Sequence, residues 1–291
     1  MLGTQVAFGF QFQSLFQDRL DISAGAIQTA ALSGMSCTVL TLGLLIAAPA
    51  VHRIADYGDV GGRTHRLTST LAHAALVTLA LGFAATVFVT IATEFGPATG
   101  LVVALLTAAV CLAAWHSWGS VLRSTSHRRE PTAVNSRHAK LHDRIDYVLT
   151  EARVILPGAQ ALFGFQLIVP LMTAFETLPF AARVAHFAGL AFVAVAIVLL
   201  ISPAAIHRIA FDGDDDERFL SLSSHIVTAA LVPLALGVAS ELYVATARLL
   251  PASSASQWTA AVAICVLFGL WYGLPLALRS QRESARCSPQ T

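Results

Sequence analysis

The chain is short of charge. Only 12 % of its 291 residues are Asp, Glu, Lys or Arg, about half the share usual in a soluble domain. With 56 % hydrophobic residues and a mean hydropathy of +0.69, the apolar side chains exceed what one water-soluble globule can hide. That excludes a soluble fold and points to a multi-pass membrane protein. Lysine is nearly missing: of 18 basic residues only Lys140 is a lysine. Together with abundant alanine, this bias points to a GC-rich bacterial genome. Cysteine is scarce too. Cys37, Cys111 and Cys265 lie in apolar runs, where a thiol behaves as a small hydrophobe, and Cys287 lies in a polar tail. Neither a disulfide nor a metal site is expected.

The patterns that carry most enzyme chemistry are also missing. There is no phosphate-cradling Gly-rich loop with a Lys, no Gly-x-Ser-x-Gly elbow and no dinucleotide fingerprint. Within the apolar runs no pair of His, Cys, Asp or Glu falls at i, i+4, which argues against a helix-borne metal hydrolase. No polar stretch is long enough to house a soluble catalytic domain. The expectation is a protein that is not an enzyme and takes no cofactor. The N-terminus has neither a basic n-region nor a small-residue cleavage site, so no cleavable signal peptide is expected.

What is present is a repeat. Val51-His52-Arg53-Ile54-Ala55 returns 155 positions later as Ile206-His207-Arg208-Ile209-Ala210. The same offset pairs Gln5 and Gln11 with Gln160 and Gln166, Gly9 with Gly164, and Leu79-Ala80-Leu81-Gly82 with Leu234-Ala235-Leu236-Gly237. Self-similarity at a fixed offset decides the architecture before any motif does. Apolar runs near 3–17, 27–51, 67–93 and 101–118, and again near 152–175, 184–206, 219–249 and 257–278, predict eight membrane helices. The first run is short for a span, and its counterpart raises the expectation that it crosses. The second half has a polar run, 142–151, ahead of its first span, for which the first half has no match. Either that run was lost or the start codon lies upstream. The expected units are residues 1–123, a polar basic linker over 124–151, residues 152–280 and a tail over 281–291.

Orientation follows from the arginines. If both termini, both His-Arg turns and the linker share one side, the other side keeps only Arg19, Arg183 and Arg248, so 18 − 3 = 15 basic residues lie together. Cytoplasmic loops collect Lys and Arg. The expected location is therefore the cytoplasmic membrane, with both termini inside. An even number of spans per half makes the repeat parallel about an axis along the membrane normal.

Candidate sites are residues that are out of place in lipid. Glu241 lies deep in the seventh span and has Thr86 as its counterpart; intramembrane carboxylates are rare because burying them is costly. It reads either as a proton- or cation-handling group or as a hydrogen-bonded structural one. His52, Arg53, His207 and Arg208 read as helix-end anchors reaching anionic lipid headgroups, with capture of an anionic group on a substrate or partner as the alternative. Gln5, Gln11, Gln160 and Gln166 read as interhelical hydrogen-bonders, or else as lining for a polar path. His73 and His225, at unmatched positions, read as packing residues. Gly9/Gly164 and Gly82/Gly237 would allow close helix approach. The basic linker is explained by topology, and no nucleic-acid partner is expected.

The run Ala152-Arg153-Val154-Ile155-Leu156-Pro157-Gly158-Ala159-Gln160, then Phe163-Gly164-Phe165, Pro203 with His207-Arg208, and Trp271-Tyr272 with Arg279, resembles a family of small four-helix bacterial integral membrane proteins, number 6328 in the series of domains of unknown function. Residues 142–280 carry the resemblance well, and 3–123 carry it as a more divergent copy without the Arg-x-x-Leu-Pro entry. The resemblance implies a membrane location and four helices per unit, and no activity. Some relatives bear a sodium/proton antiporter label, which only Glu241 supports here. The expectation is thus an all-α membrane protein of eight transmembrane helices in two parallel four-helix repeats. Its function is a non-enzymatic membrane component or, alternatively, a transporter or channel for a small cation or proton.

Overall fold

A computed structural model describes residues 1–17, 25–55, 62–125, 137–211, 214–251 and 253–287. Arg19, the turn 56–61, Arg128, Arg129 and Asp212 lie outside the described residues, as do the side chains of Trp115, Trp118 and Cys287. All regular structure among the described residues is helical: α1 (Leu2–Ser14), α2 (Gly25–Ala55), α3 (Gly62–Phe95), α4 (Pro97–Thr125), α5 (Arg137–Ile168), α6 (Thr173–Glu176), α7 (Phe180–Ile209), α8 (Glu217–Leu249), α9 (Ala255–Phe268) and α10 (Leu274–Cys287).

Local chemistry sets several of these boundaries. Gly96 holds φ at +87°, a conformation that favours glycine, and Pro97 with its fixed φ opens α4, so α3 and α4 form a tight hairpin. The Asp216 carboxylate accepts the Arg218 N–H at 2.5 Å and caps α8. α5 ends just before Pro170, which opens a 3₁₀ turn over Val169–Leu171. Between α9 and α10 a π-helical step over Gly269–Gly273 turns Trp271 fully inward, where its indole N–H donates to the Gly43 carbonyl of α2 at 3.0 Å.

Six helical stretches are long and apolar enough to cross a membrane: Gly25–Ile54, Arg66–Phe95, Leu141–Leu171, Phe180–Ile209, Glu217–Leu249 and Ala255–Gln281. The first expected span is shorter. α1 has 13 residues, about 20 Å of helix, against a hydrocarbon layer of about 30 Å. The described apolar part of α4 is Pro97–Ala113. The stretch 124–151, expected as a linker, contains the start of α5 at Arg137, and its polar run continues without a break into the apolar one.

The halves meet along α1 and α5. Phe10 and Phe165, 155 positions apart, face each other with ring centroids 4.4 Å apart. Gln5 packs on Gly158 and Gly9 packs on Phe165, so contacts ascend together along both helices and the two run in the same direction. Within each half the most extensive packing joins α2 to α3 and α7 to α8, and both crossings are built alike. A Cβ on Gly82 would lie 2.8 Å from Thr38 Oγ1 and 3.4 Å from the Gly34 carbonyl; one on Gly237 would lie 2.5 Å from Val193 Cγ2 and 3.2 Å from the Gly189 carbonyl. Glycine at both positions lets the backbones touch, which is how membrane helices associate without a hydrophobic force between them. Gly9 is a contact glycine as well. Gly164 has nothing within 4 Å of its Cβ direction and serves no such approach.

Candidate functional site

The residues that stand out sit near one end of the bundle, away from the His-Arg pairs. Glu241 lies eight positions before Leu249, the end of α8, about 12 Å along the helix. It is fully buried, and it is not alone. His186, in the second turn of α7, places Nδ1 3.0 Å from Glu241 Oε2. Gln166 on α5 donates its amide N–H to Glu241 Oε1 at 2.6 Å. His186 Nε2 lies 3.0 Å from the Gln166 main-chain carbonyl. All three side chains have no exposure.

Hydrogen-bond direction fixes the protons. A carbonyl oxygen only accepts, so Nε2 carries a hydrogen and donates to Gln166. The Nδ1 to Oε2 contact is a hydrogen bond only if one further proton lies on that line, giving either a neutral imidazole with a carboxylic acid or an imidazolium with a carboxylate. Without that proton, two lone pairs would face each other in a dry interior, an expensive arrangement. The couple therefore holds one proton. Aromatic rings close the site. Phe12 of α1 stacks on the imidazole with centroids 5.8 Å apart, and Phe175 and Phe187 meet it edge-on at 5.2 and 5.7 Å. Gly189 leaves room for the carboxyl group: a Cβ there would lie 2.9 Å from Glu241 Oε1.

The first half has an uncharged version of the same tie. Gln11 donates to Thr86 Oγ1 at 2.6 Å, and 11 + 155 = 166 while 86 + 155 = 241. Gln11 and Gln166 are thus equivalent donors to equivalent acceptors. Where the second half has His186 and Glu241, the first has Ala31 and Thr86, and the smaller side chains leave a cavity of about 370 Å³.

The other sequence candidates fare unequally. Gln5 is buried against Gly158 and its amide has no hydrogen-bond partner, whereas its match Gln160 is exposed. Gln11 and Gln166 thus bond to neighbouring helices, while Gln5 makes no such bond. The two His-Arg pairs also diverge. Arg208 is exposed, as a helix-end anchor would be, and His207 packs its ring on Phe219 at 4.5 Å. Arg53 does not snorkel: it is buried and forms an ion pair at 2.5 Å with the buried Glu151 of α5, although the groups are not aligned for hydrogen bonding. His52 packs on Tyr147 at 4.4 Å. A second cavity of about 300 Å³ opens at this end, lined by His52, Arg53, Arg144, Tyr147, Glu217 and His225 among others. His73 and His225 bond to carbonyls one turn back, Ser69 and Ser221, and are exposed. His186 was absent from the sequence candidates, since it lies at the start of an apolar run close to Arg183. Its counterpart in the repeat is alanine, and that mismatch opposite the Thr86/Glu241 mismatch was the available signal.

A family model described as a family of unknown function (DUF6328) matches residues 1–118 and 135–275, two segments consistent with a tandem duplication of one unit. No curated protein and no solved structure matches the chain.

Proposed function

We propose, from the premise that this chain belongs to the DUF6328 family, that it is a bacterial cytoplasmic-membrane protein working as a proton-coupled secondary transporter, with His186 and Glu241 as its proton-holding couple. On this reading it is not an enzyme. α1 and the apolar part of α4 cross with the six longer helices, giving eight spans in two parallel four-helix units with both termini in the cytoplasm. Arg208 and Arg144 then face anionic headgroups. The carrying observation is that the rare intramembrane carboxylate faces a second ionisable group at 3.0 Å with no exposure on either. Ionisable groups within a bilayer are rare, and those present commonly mark ion pathways and proton relays. The closed ring of aromatics describes an occluded state, and access to either face would need α1, which carries Phe12, to shift.

A structural reading is favoured by one observation: the Gln11–Thr86 tie does the same bridging without charge. On that reading the chain is a non-enzymatic membrane component and the network only locks helices. Reconstituted vesicles decide between the two. With a pH-sensitive dye inside and a cation gradient imposed, the transport reading expects proton movement in the parent protein and its loss in Glu241→Gln. Proton movement unchanged by Glu241→Gln, or none in the parent, contradicts it.

A further inference from the structure

The cavity in the first half differs from the network it mirrors in one chemical respect: its hydroxyls are spent as donors and its lining is rich in acceptors. The Thr86 hydroxyl donates to the Gly82 carbonyl at 2.8 Å, Thr90 to the Thr86 carbonyl at 3.0 Å, Thr93 to the Val89 carbonyl at 2.7 Å, and Ser14 to the Gln11 carbonyl at 2.8 Å. Each hydroxyl hydrogen is thus committed to its own helix, and what remains are lone pairs. The Gln11 amide donates from its nitrogen to Thr86 Oγ1 at 2.6 Å, with the Gly82 carbonyl on the same side at 3.4 Å. Its Oε1 is buried without a partner, and Gln11 itself is 6 % exposed. Glu94 adds a carboxylate at the rim, where α3 ends, and among the described residues no basic side chain lines the space. The exposed amide of Gln17, also at the rim, adds a donor. The remaining walls are apolar and include Phe10, Leu15, Met35 and Val89.

A site of about 370 Å³ falls in the range of small-molecule pockets. Apolar walls, spare acceptors and one rim carboxylate disfavour an anion and offer a neutral acceptor little beyond the glutamine amides. They suit a cation that brings its own N–H donors on an apolar body. We infer that this cavity binds a lipophilic ammonium ion: the ammonium sits among the acceptor oxygens between Thr86 and Glu94, and the hydrocarbon body lies toward Leu15, Met35 and Val89. The space exists because the positions matching His186 and Glu241 are Ala31 and Thr86, so this site is independent of the proton couple.

The test uses the full chain in nanodiscs of zwitterionic lipid, with empty nanodiscs subtracted, and calorimetric titration of 1-adamantylammonium and of adamantane-1-carboxylate, which share one body and differ in charge. The ammonium is expected to bind at least about tenfold more tightly than the carboxylate, equivalent to 1.4 kcal/mol. Ala31→Leu, which fills the cavity, should abolish binding. Glu94→Gln, at an exposed position where folding is not at risk, should weaken binding about two- to fivefold, as expected for a partly screened charge pair. Glu241→Gln should leave it unchanged. Equal binding of both probes, no binding of the ammonium, or full binding retained in both Ala31→Leu and Glu94→Gln would overturn the inference. If lipid acyl chains already fill the cavity, the ammonium shows no saturable binding above empty nanodiscs, and that result overturns it too.

Discussion

Removing both members of the buried couple should cost less than the sum of removing each alone. His186→Ala strips away the base that Glu241 Oε2 faces at 3.0 Å and leaves a carboxyl group enclosed with no exposure. Breaking a buried ionisable pair from one side costs about 3–5 kcal/mol. The vacated imidazole adds the loss of its contacts with Phe12 and Phe175. Glu241→Thr alone leaves Nδ1 of His186 without its partner, at about 1–3 kcal/mol. The double variant His186→Ala/Glu241→Thr recreates the set that the first half carries at Ala31 and Thr86, where the equivalent glutamine amide already finds a hydroxyl at 2.6 Å. Because Gly34 and Gly82 make the same crossing as Gly189 and Gly237, Gln166 should find that hydroxyl too. A favourable coupling of about 2 kcal/mol follows, within the range seen for residues in contact. Thermal unfolding in detergent, followed by fluorescence of the buried Trp271, reads it out. At roughly 2–4 °C per kcal/mol for chains of about this size, the double should melt close to His186→Ala, about 4–8 °C above the point that adding the two separate losses gives. A double that melts below both singles, by the sum of their losses, would refute the reasoning.

The remaining predictions concern the scaffold. Gly237→Ala should destabilise by about 1–3 kcal/mol, since its methyl meets Val193 and the Gly189 carbonyl, while Gly164→Ala, with open space around it, should leave the melting temperature unchanged. Arg53→Ala should cost about 3–5 kcal/mol by leaving Glu151 buried and unpaired, whereas Arg208→Ala at an exposed helix end should stay within about 0.5 kcal/mol. Adding Glu151→Ala to Arg53→Ala should restore most of the loss in the same unfolding assay. Trp271→Phe removes the indole bond to Gly43 and should cost about 1 kcal/mol. Single cysteines at Asp214 and Ser280 should react with a membrane-impermeant thiol reagent from the same side; labelling from opposite sides would contradict an even number of crossings between them.

Much of this architecture could be read from the chain because its signals are local or periodic. The apolar runs marked the long helices, and the 155-residue offset paired Gln11 with Gln166 and Thr86 with Glu241. Which helix faces met was not legible. That Gln166 reaches Glu241, 75 positions away, depends on how α5 leans on α8, and propensity carries no such information. His186 escaped notice for the same reason: at the very start of the 184–206 run, close to the charged Arg183, it looks like a boundary residue, and only the folding of α7 onto α8 turns it inward. Arg53 misled for an opposite reason. A His-Arg pair at the end of a membrane helix usually reaches for headgroups, but here α5 begins early enough to bring Glu151 beside it. The short α1 is the remaining case. It stops well short of bilayer thickness, yet it supplies Phe12, the ring stacked on His186, and Phe10, the residue at the seam between halves.

The claim on which the account rests is that His186 and Glu241 share one proton in the membrane interior. Nitrogen-15 magnetic resonance of the protein in bilayers, with the signal assigned through His186→Gln, tests it directly. The account predicts an Nε2 that stays protonated at every pH where the fold persists, and an Nδ1 hydrogen-bonded through one proton to a carboxyl group, a coupling that disappears in Glu241→Gln. An unprotonated Nε2, or an Nδ1 signal indifferent to Glu241→Gln, would contradict it.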